Sequence, residues 1–573
     1  MIYCLSDNVI SPLGETTEEN YQAVKTGHSA LKVFQGEWNL PEPFTASLFS
    51  QEQNSSLAIK GMSRFDSLVI RSVSKAINDS GIDPSQSNVV FILGTTKGNI
   101  ELLQDGKKPP LELYLGNTAN RIATAVGILT QPIVACNACI SGVSAIILAM
   151  RLLDAGYYDY AVVCGADVQN KFTISGFQSL NAVSQQPCKP FDIERLGLNP
   201  GEAAATMVLA SDRLLDSEER RNWCIEKGAV RNDAFHVTSP SKSGHGAWLA
   251  LCEADSGKNN DQLAFINAHG TATMFNDQME SVAIERAGLQ SVPVNAIKGY
   301  YGHTMGAAGV LETIIAMHSI DDHTVLGTRG FSELGVSGKV ILSNENQPTD
   351  KSSFIKMISG FGGNNAALFV SKGNQSSRGP VVLPEIRRKH NVKVTPNHLV
   401  IDGETKEVVL ENNCNVLKAI FKQYIGDYPK FYKMDLLSQL AFVASDLLLQ
   451  AEGNERYVPC DDRAIVLFNH SSSIQADCSY LSTIADDNNF YPSPSLFVYT
   501  LPNMAVSEIA IRNQYHGETS LYILPQKDNA VMKQVVQASL LDNSIKSMVT
   551  GWIDYRDDEH FEADLSIIER IVD

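Results

Sequence analysis

The chain has no excess of basic residues, no cysteine framework and no long apolar run. Acidic residues outnumber basic ones to give a formal net charge of −18, which excludes a general binder of nucleic acid or anionic membrane, since such affinity comes from Lys and Arg. The ten cysteines are scattered; Cys136 and Cys139 lie close but have no second pair, a usage that suits reduced thiols. There is no Walker loop and no Cys/His cluster at zinc spacing, so neither a metal nor a nucleotide is expected. Nothing near Met1 combines a basic stretch with an apolar one, and apolar stretches such as Val143 to Met150 fall far short of the ~20 residues a membrane span needs. A soluble, cytoplasmic protein without a membrane span or nucleic-acid partner is expected. What is present is bulk: 573 residues, 44% of them apolar and 19% charged, enough for more than one core and too apolar for disorder.

Strand-like and helix-like runs alternate from the start. Met1 to Leu5 is apolar, Phe65 to Gly81 has helical spacing and ends on a Ser-Gly stop, and Asn88 to Leu93 reads as a buried strand. Ile133 to Cys136, Gly142 to Leu153 and Tyr160 to Cys164 continue as strand, helix and strand, which predicts a layered α/β fold. The chain also partly repeats itself. Asn120-Arg-Ile-Ala-Thr124, Pro132 to Cys136 and the helix ending Leu152-Leu-Asp154 have counterparts in Ser507-Glu-Ile-Ala-Ile511, Thr519 to Ile523 and Leu540-Leu-Asp542, at an offset of about 387 residues. Arg64-Phe-Asp66 resembles Lys433-Met-Asp435, and Asn88–Leu93 resembles Arg463–Phe468. Chance likeness between two unrelated α/β segments is the alternative. Polar, turn-rich Gly373 to Pro380 marks a linker, so the expected division is 1–372, a linker at 373–390, and 391–573.

Three side chains carry candidate chemistry. Cys139, in Asn137-Ala-Cys-Ile-Ser-Gly142, follows a strand and opens a helix, where free N–H groups and the helix dipole favour a thiolate nucleophile. An inert core cysteine is the other reading. His269, in Ile266-Asn-Ala-His-Gly-Thr-Ala-Thr273, and His303, in Lys298-Gly-Tyr-Tyr-Gly-His-Thr-Met-Gly-Ala-Ala-Gly309, each end an apolar run in a small-residue loop, as active-site residues do. Structural histidines occur in loops too.

In these motifs residues 1–372 resemble the β-ketoacyl synthases, condensing enzymes of thiolase-like fold. Cys139, His269 and His303 match the family's three motifs in order, at separations of 130 and 34 residues. Pro190-Phe-Asp192 with Gly201-Glu202, Asn232 to His236 and Gly360-Phe-Gly-Gly-Asn364 are further landmarks. The resemblance implies a five-layered αβαβα fold with a C-terminal α/β half-domain related to its own N-terminal half. It implies a 3-oxoacyl-[acyl carrier protein] synthase, an acyltransferase: an acyl group on Cys139 condenses with malonyl on acyl carrier protein, with loss of carbon dioxide. Fatty-acid-like, polyketide or aryl-polyene pigment assembly would use such a reaction. Substrates would ride on the carrier's phosphopantetheine, with no bound cofactor. His269 and His303, neutral with Nε2–H donors, would stabilise the enolate; the N–H groups of Cys139 and Phe361 would form the oxyanion hole, with Phe361 gating the acyl pocket. Lys298 and Glu312 would pair behind the second histidine, as a salt bridge or a proton relay. Lys60, Arg64 and Arg121 are candidates for carrier docking, or merely solvated charges. A homodimer, or a heterodimer with another ketosynthase-like subunit, is expected.

Departures from the family pattern are Ile140, Ala203, Ser359 and a short Lys97–Leu115 stretch in a region that would shape dimer surface and pocket. The C-terminal copy places Gln526 opposite Cys139, which suggests a non-catalytic module like a chain-length factor; a surface glutamine after a strand is the alternative. A non-catalytic chain-length or scaffold role for the whole chain would require loss of Cys139. A thiolase would need a second cysteine near the end of the catalytic part, and none lies between Cys252 and Cys414.

Overall fold

The computed structural model describes residues 1–86, 88–216, 219, 222–255, 262–373, 381–410, 415–454 and 456–571. In the first sheet the strands are β1 (Ile2–Ile10), β2 (Val89–Gly94), β3 (Ile133–Ala135), β4 (Tyr160–Asp167) and β5 (Ala203–Ser211). The second contains β6 (Trp223–Asn232), β7 (Leu263–Asn267), β8 (Val294–Asn295), β9 (Ser353–Gly360) and β10 (Asn364–Lys372). The third contains β11 (Ile386–Val394), β12 (Arg463–Asn469), β13 (Thr519–Ile523), β14 (Ser547–Asp557) and β15 (His560–Arg570).

One topology occurs three times. The orders are β3-β2-β4-β5-β1, β8-β7-β9-β10-β6 and β13-β12-β14-β15-β11, each with two parallel pairings followed by two antiparallel ones. The helices named below are α1 (Arg64–Ser80), α2 (Leu115–Ala125), α3 (Ser141–Asp154), α4 (Lys171–Ser179), α5 (His245–Ala254), α6 (Met274–Arg286), α7 (Ala308–Asp321), α8 (Leu436–Glu452), α9 (Met504–Asn513) and α10 (Asn529–Ser539). Helices α3 and α7 lie between the first two sheets and are buried along almost their whole length; α1 covers the outside of the first sheet, and α5 and α6 the outside of the second. This is the five-layered arrangement expected. A helix enclosed by two sheets must be apolar nearly all round, and Val143 to Met150 is, with Ser144 its one polar residue.

The third sheet has only one partner layer of that kind, and α10 shows it. Its counterpart of the apolar α3 carries Lys533, Gln534 and Gln537, which are exposed or half-buried, while Val531, Val535 and Val536 are buried. Helices α1 and α8 are both 17 residues long; Ser63 and Asp435 cap their N-termini, and Gly81 and Gly453 end them at φ +73° and +72°. These caps put Asp435 opposite Ser63 rather than Asp66, three residues from the register read in the sequence. The repeat also runs further than the sequence shows, to β15. Residues 168–202 of the first copy have no counterpart, because β14 and β15 are joined directly in a hairpin.

The two copies dock edge to edge. β3 pairs antiparallel with β13, Ala135 opposite Tyr522 and Val134 opposite Ile523. By the sequence offset Tyr522 is the equivalent of Ala135, so a position meets its own copy, as an approximate twofold axis requires. Buried ion pairs flank this seam: Arg151 to Glu518 at 2.5 Å, Arg231 to Asp542 at 2.8 Å and Lys97 to Asp477 at 2.5 Å. Arg231 and Arg151 hold the Asp542 carboxyl down to about 2 against the opposing effect of burial. β11 begins at Ile386, inside the span 373–390 read as linker, because it pairs with β15; residues 374–380 of that span lie outside the described residues. No described helix is long and apolar enough to cross a membrane.

Candidate active site

Cys139 sits on the elbow that joins β3 to α3. Ala138, just before it, has φ +50°, a left-handed conformation that costs a non-glycine residue about 1 kcal/mol or more and turns the next side chain out of the strand direction. His269 follows β7 and His303 lies in the loop before α7. The Cys139 sulfur and one ring nitrogen from each histidine lie within 4.8 Å of one another, and the two imidazoles meet edge to face at 4.9 Å. All three residues are buried at the end of a cavity of about 360 Å³, also lined by Phe177, Leu198 and Phe361. A larger recess of about 1020 Å³, beside Trp38 and Arg64, is lined by neither cysteine nor histidine.

The electrostatics correct one expectation. Burial pushes the Cys139 thiol up to about 12; Lys298 and the N–H groups of Cys139 and Phe361 act in the other direction without overcoming it. The resting sulfur is therefore a thiol, and the local dipole visible in the sequence is outweighed by desolvation. Burial, reinforced by Lys298 and Lys356, holds both histidines well below their ordinary value, so both are neutral. The Met305 N–H donates to His303 Nδ1 at 3.3 Å, which places the His303 proton on Nε2. His269 is fixed through its backbone: its N–H donates to Glu280 at 2.6 Å and its carbonyl accepts from Lys298 Nζ at 2.6 Å.

Lys298 and Glu312 pair at 2.6 Å, but the other hydrogen bond from Lys298 runs to the carbonyl of His269, the first histidine, and not to the second as expected, because the Lys298 ammonium reaches the end of β7. The sequence reading missed the third member, Lys356 of β9, which is fully buried, binds the other Glu312 oxygen and donates to Asn267 Oδ1 at 2.7 Å. Its signal was a lone charge inside the apolar run Phe354 to Ile358, where only a paired ammonium can lie. A second omission is Asn503, from the C-terminal copy, whose Nδ2 donates to the Phe361 carbonyl at 3.0 Å. The Leu521 N–H likewise donates to Asn137 Oδ1 at 2.8 Å. The C-terminal copy thus holds Phe361, which lines the cavity, and Asn137, two residues before Cys139, and Phe497 meets the lining residue Phe177 at 5.3 Å.

The docking candidates separate. Arg64 is engaged by Glu202 at 2.6 Å and Glu101 at 3.2 Å, and Arg121 by Asp66 at 3.2 Å and Glu112 at 3.3 Å. These carboxylates come from other segments, so spacing did not reveal them; of the three candidates Lys60 alone is left exposed without such a pair. The Lys97–Leu115 stretch lies on the seam, with Ile100, Leu103 and Leu113 packed among Phe172, Tyr480 and Phe497. Gln526 is exposed in the loop before α10, so the second copy has no enclosed site there.

A thiol and two neutral imidazoles thus share one cavity, with the N–H groups of Cys139 and Phe361 facing the sulfur and the exposed side chains of Leu196 and Phe275 on the cavity lining. The sequence profiles agree: Beta-ketoacyl synthase, N-terminal domain, matches residues 6–214 and its C-terminal domain matches 224–332. The chain belongs to the beta-ketoacyl synthase family, a class of condensing acyltransferases. Among its relatives, 3-oxoacyl-[acyl-carrier-protein] synthase 2 of Vibrio cholerae serotype O1 is 26% identical over 64% of this chain and 97% of its own length. Solved structures with the same fold include a β-ketoacyl synthase from Burkholderia phymatum (TM-score 0.57, 23% identity, 65% of this chain and 99% of that one). The "PfaC Keto synthase-Chain length factor" structure aligns over 99% of this chain and 78% of its own, at TM-score 0.76 and 15% identity.

Proposed function

We propose that the chain is a 3-oxoacyl-[acyl carrier protein] synthase with Cys139 as nucleophile, His269 and His303 as enolate stabilisers, and residues 391–573 as a built-in, non-catalytic partner for the catalytic unit 1–372. The observation that carries this reading is the convergence of buried Cys139, His269 and His303 within 4.8 Å on the lining of one cavity. Substrates would arrive as thioesters on the phosphopantetheine of an acyl carrier protein, within fatty-acid-like, polyketide or pigment assembly.

In the first half-reaction Cys139 sulfur attacks the donor thioester. Its proton leaves through a neighbouring neutral imidazole, the acyl C–S bond to the carrier breaks, and the carrier departs as a thiol. The oxyanion that forms faces the N–H groups of Cys139 and Phe361, donors already fixed in place. A neutral sulfur at rest suits this order, since thiolate is needed only when an acyl donor has displaced water from the cavity. In the second, malonyl on its carrier loses carbon dioxide, and its thioester oxygen takes on enolate charge beside His269 and His303. Removing one such donor typically costs about 3 kcal/mol of transition-state stabilisation. The enolate carbon bonds to the acyl carbon, Cys139 sulfur is expelled as thiolate and is reprotonated. Lys298, Glu312 and Lys356 act behind this centre as a buried ion cluster that fixes the His269 backbone and keeps both rings neutral.

The test is intact-protein mass after incubation with acyl carrier thioesters, wild type against Cys139→Ala, followed by malonyl carrier. An acyl adduct that requires Cys139, and a 3-oxoacyl product on malonyl addition, are expected. Adduct formation by Cys139→Ala, or none by wild type with any donor, overturns the assignment.

A further inference from the structure

Away from the Cys139 cavity, a second cluster of metal-ligating side chains is assembled from both halves of the seam. His245 is the first residue of α5 in the catalytic unit, whereas Asp461 and His516 precede β12 and β13 of the C-terminal copy. One ligand atom from each lies within 4.8 Å of the other two, and His245 Nε2 is 3.3 Å from Asp461 Oδ1. Two ligands on a tetrahedral ion with bonds of ~2.0–2.1 Å stand ~3.3 Å apart. Spacing in the sequence could not reveal this cluster, because its members come from three distant segments.

The rings are oriented as ligands. His516 Nδ1 is 3.0 Å from the Asn232 carbonyl oxygen; a carbonyl only accepts, so Nδ1 bears the proton and Nε2 keeps its lone pair. A metal-bound imidazole has this same outer partner, which fixes its tautomer and raises its basicity. His245 is held by stacking on Trp248 at 5.5 Å and meets His516 edge to face at 4.6 Å. Asp461 is 54% exposed, which leaves an ion a path in and a coordination position for water. The N-terminal end of α5 opposes a cation weakly, and the Asp461 carboxylate faces it directly.

We propose that His245, Asp461 and His516 bind one divalent transition ion of the zinc class, clamping the catalytic unit to the C-terminal copy. Two imidazoles and one carboxylate suit zinc and its neighbours rather than magnesium or calcium, which take oxygen ligands. The clamp adjoins the active-site wall. Asn232 donates its N–H to the His516 carbonyl at 3.1 Å and, through its side chain, holds the Gly362 carbonyl at 2.9 Å, next to Phe361.

The test uses the full-length chain without an affinity tag, stripped with chelator, in a Cys139→Ala background that removes the sulfur from the other cluster of similar chemistry. Zinc sulfate is titrated calorimetrically, with metal content read by mass spectrometry and thermal unfolding followed in parallel. One zinc per chain is expected, with a raised unfolding midpoint that magnesium and calcium at equal concentration do not reproduce. His516→Ala, and separately the size-conserving His245→Asn, should weaken zinc binding at least ~tenfold and abolish the zinc-induced shift measured against each variant's own metal-free midpoint, which His516→Ala lowers by removing the donor to the Asn232 carbonyl. Absence of stoichiometric zinc, or zinc binding of unchanged affinity in both variants, overturns the proposal.

Discussion

Replacing Asn503 by alanine tests whether the C-terminal copy takes part in the first half-reaction. The side chain is wholly buried, and its amide donates at 3.0 Å to the carbonyl of Phe361, whose own N–H faces the Cys139 sulfur. Packing around it is tight: a Cβ on Gly362 would lie 2.9 Å from Asn503 Nδ2 and 2.2 Å from Ser507 Oγ. In Asn503→Ala the part-buried Phe361 carbonyl loses this side-chain partner. An unpaired buried acceptor costs about 1–3 kcal/mol, which is a roughly 5- to 150-fold change in the population of the ordered loop. Acylation of Cys139 should slow by about tenfold or more. The assay is time-resolved intact mass under single-turnover conditions across a range of acyl carrier concentration. On the proposed role of the Phe361 N–H as an oxyanion donor, the maximal rate should fall and the half-saturating concentration stay near the wild-type value. A maximal rate within twofold of wild type refutes the reasoning; so does a defect confined to the half-saturating concentration.

Glu312→Gln leaves Lys298 and Lys356 buried side by side without their shared carboxylate, so denaturant unfolding should show a loss of about 3–5 kcal/mol; a loss below ~1 kcal/mol contradicts the ion-cluster reading. Alkylation of Cys139 by iodoacetamide, read by peptide mass, should rise steadily between pH 7 and 9, since the thiol pKa of about 12 lies above that window; a plateau near neutrality would show a thiolate at rest. The folded Asp542 pKa of about 2 lies below the unfolded value of ~3.9, so its contribution is full above ~pH 4 and is lost as pH falls towards 2. Wild type should therefore lose more stability across that window than Asp542→Asn, as measured by urea unfolding at each pH, and parallel curves would remove Asp542 from the acid response.

Catalytic candidates on short motifs were legible in the sequence because each motif places its residue at a strand end, a local matter. Electrostatics were not, because burial is a property of the assembled layers: the same elbow that offers Cys139 backbone N–H groups also encloses it. Arg64 and Arg121 looked free since their carboxylates come from elsewhere in the chain. The repeat was visible where both copies kept apolar runs, and lost beyond Asp542, where the second copy replaces an excursion of the first with a hairpin. The polar face of α10 was the one local sign that this copy stops at a single sheet. Lys533, Gln534 and Gln537 stand where α3 has Ala145, Ile146 and Ala149.

The pairing of β3 with β13 also has a consequence during synthesis. Ile133 to Ala135 form an edge strand as soon as the first sheet folds, but the strand that covers it ends at Ile523. At roughly 5–20 residues per second, translation from Ser211, which completes that sheet, to Ile523 leaves the edge open for about 15–60 seconds. An apolar edge with unpaired backbone groups is a template for any matching strand, and the best match nearby is the same edge on a neighbouring nascent chain. Because the seam is nearly symmetric, that encounter would mimic the correct one. The spacing of two copies along one polypeptide therefore sets a race between self-closure and pairing with a sister chain, decided by ribosome traffic rather than by the folded state.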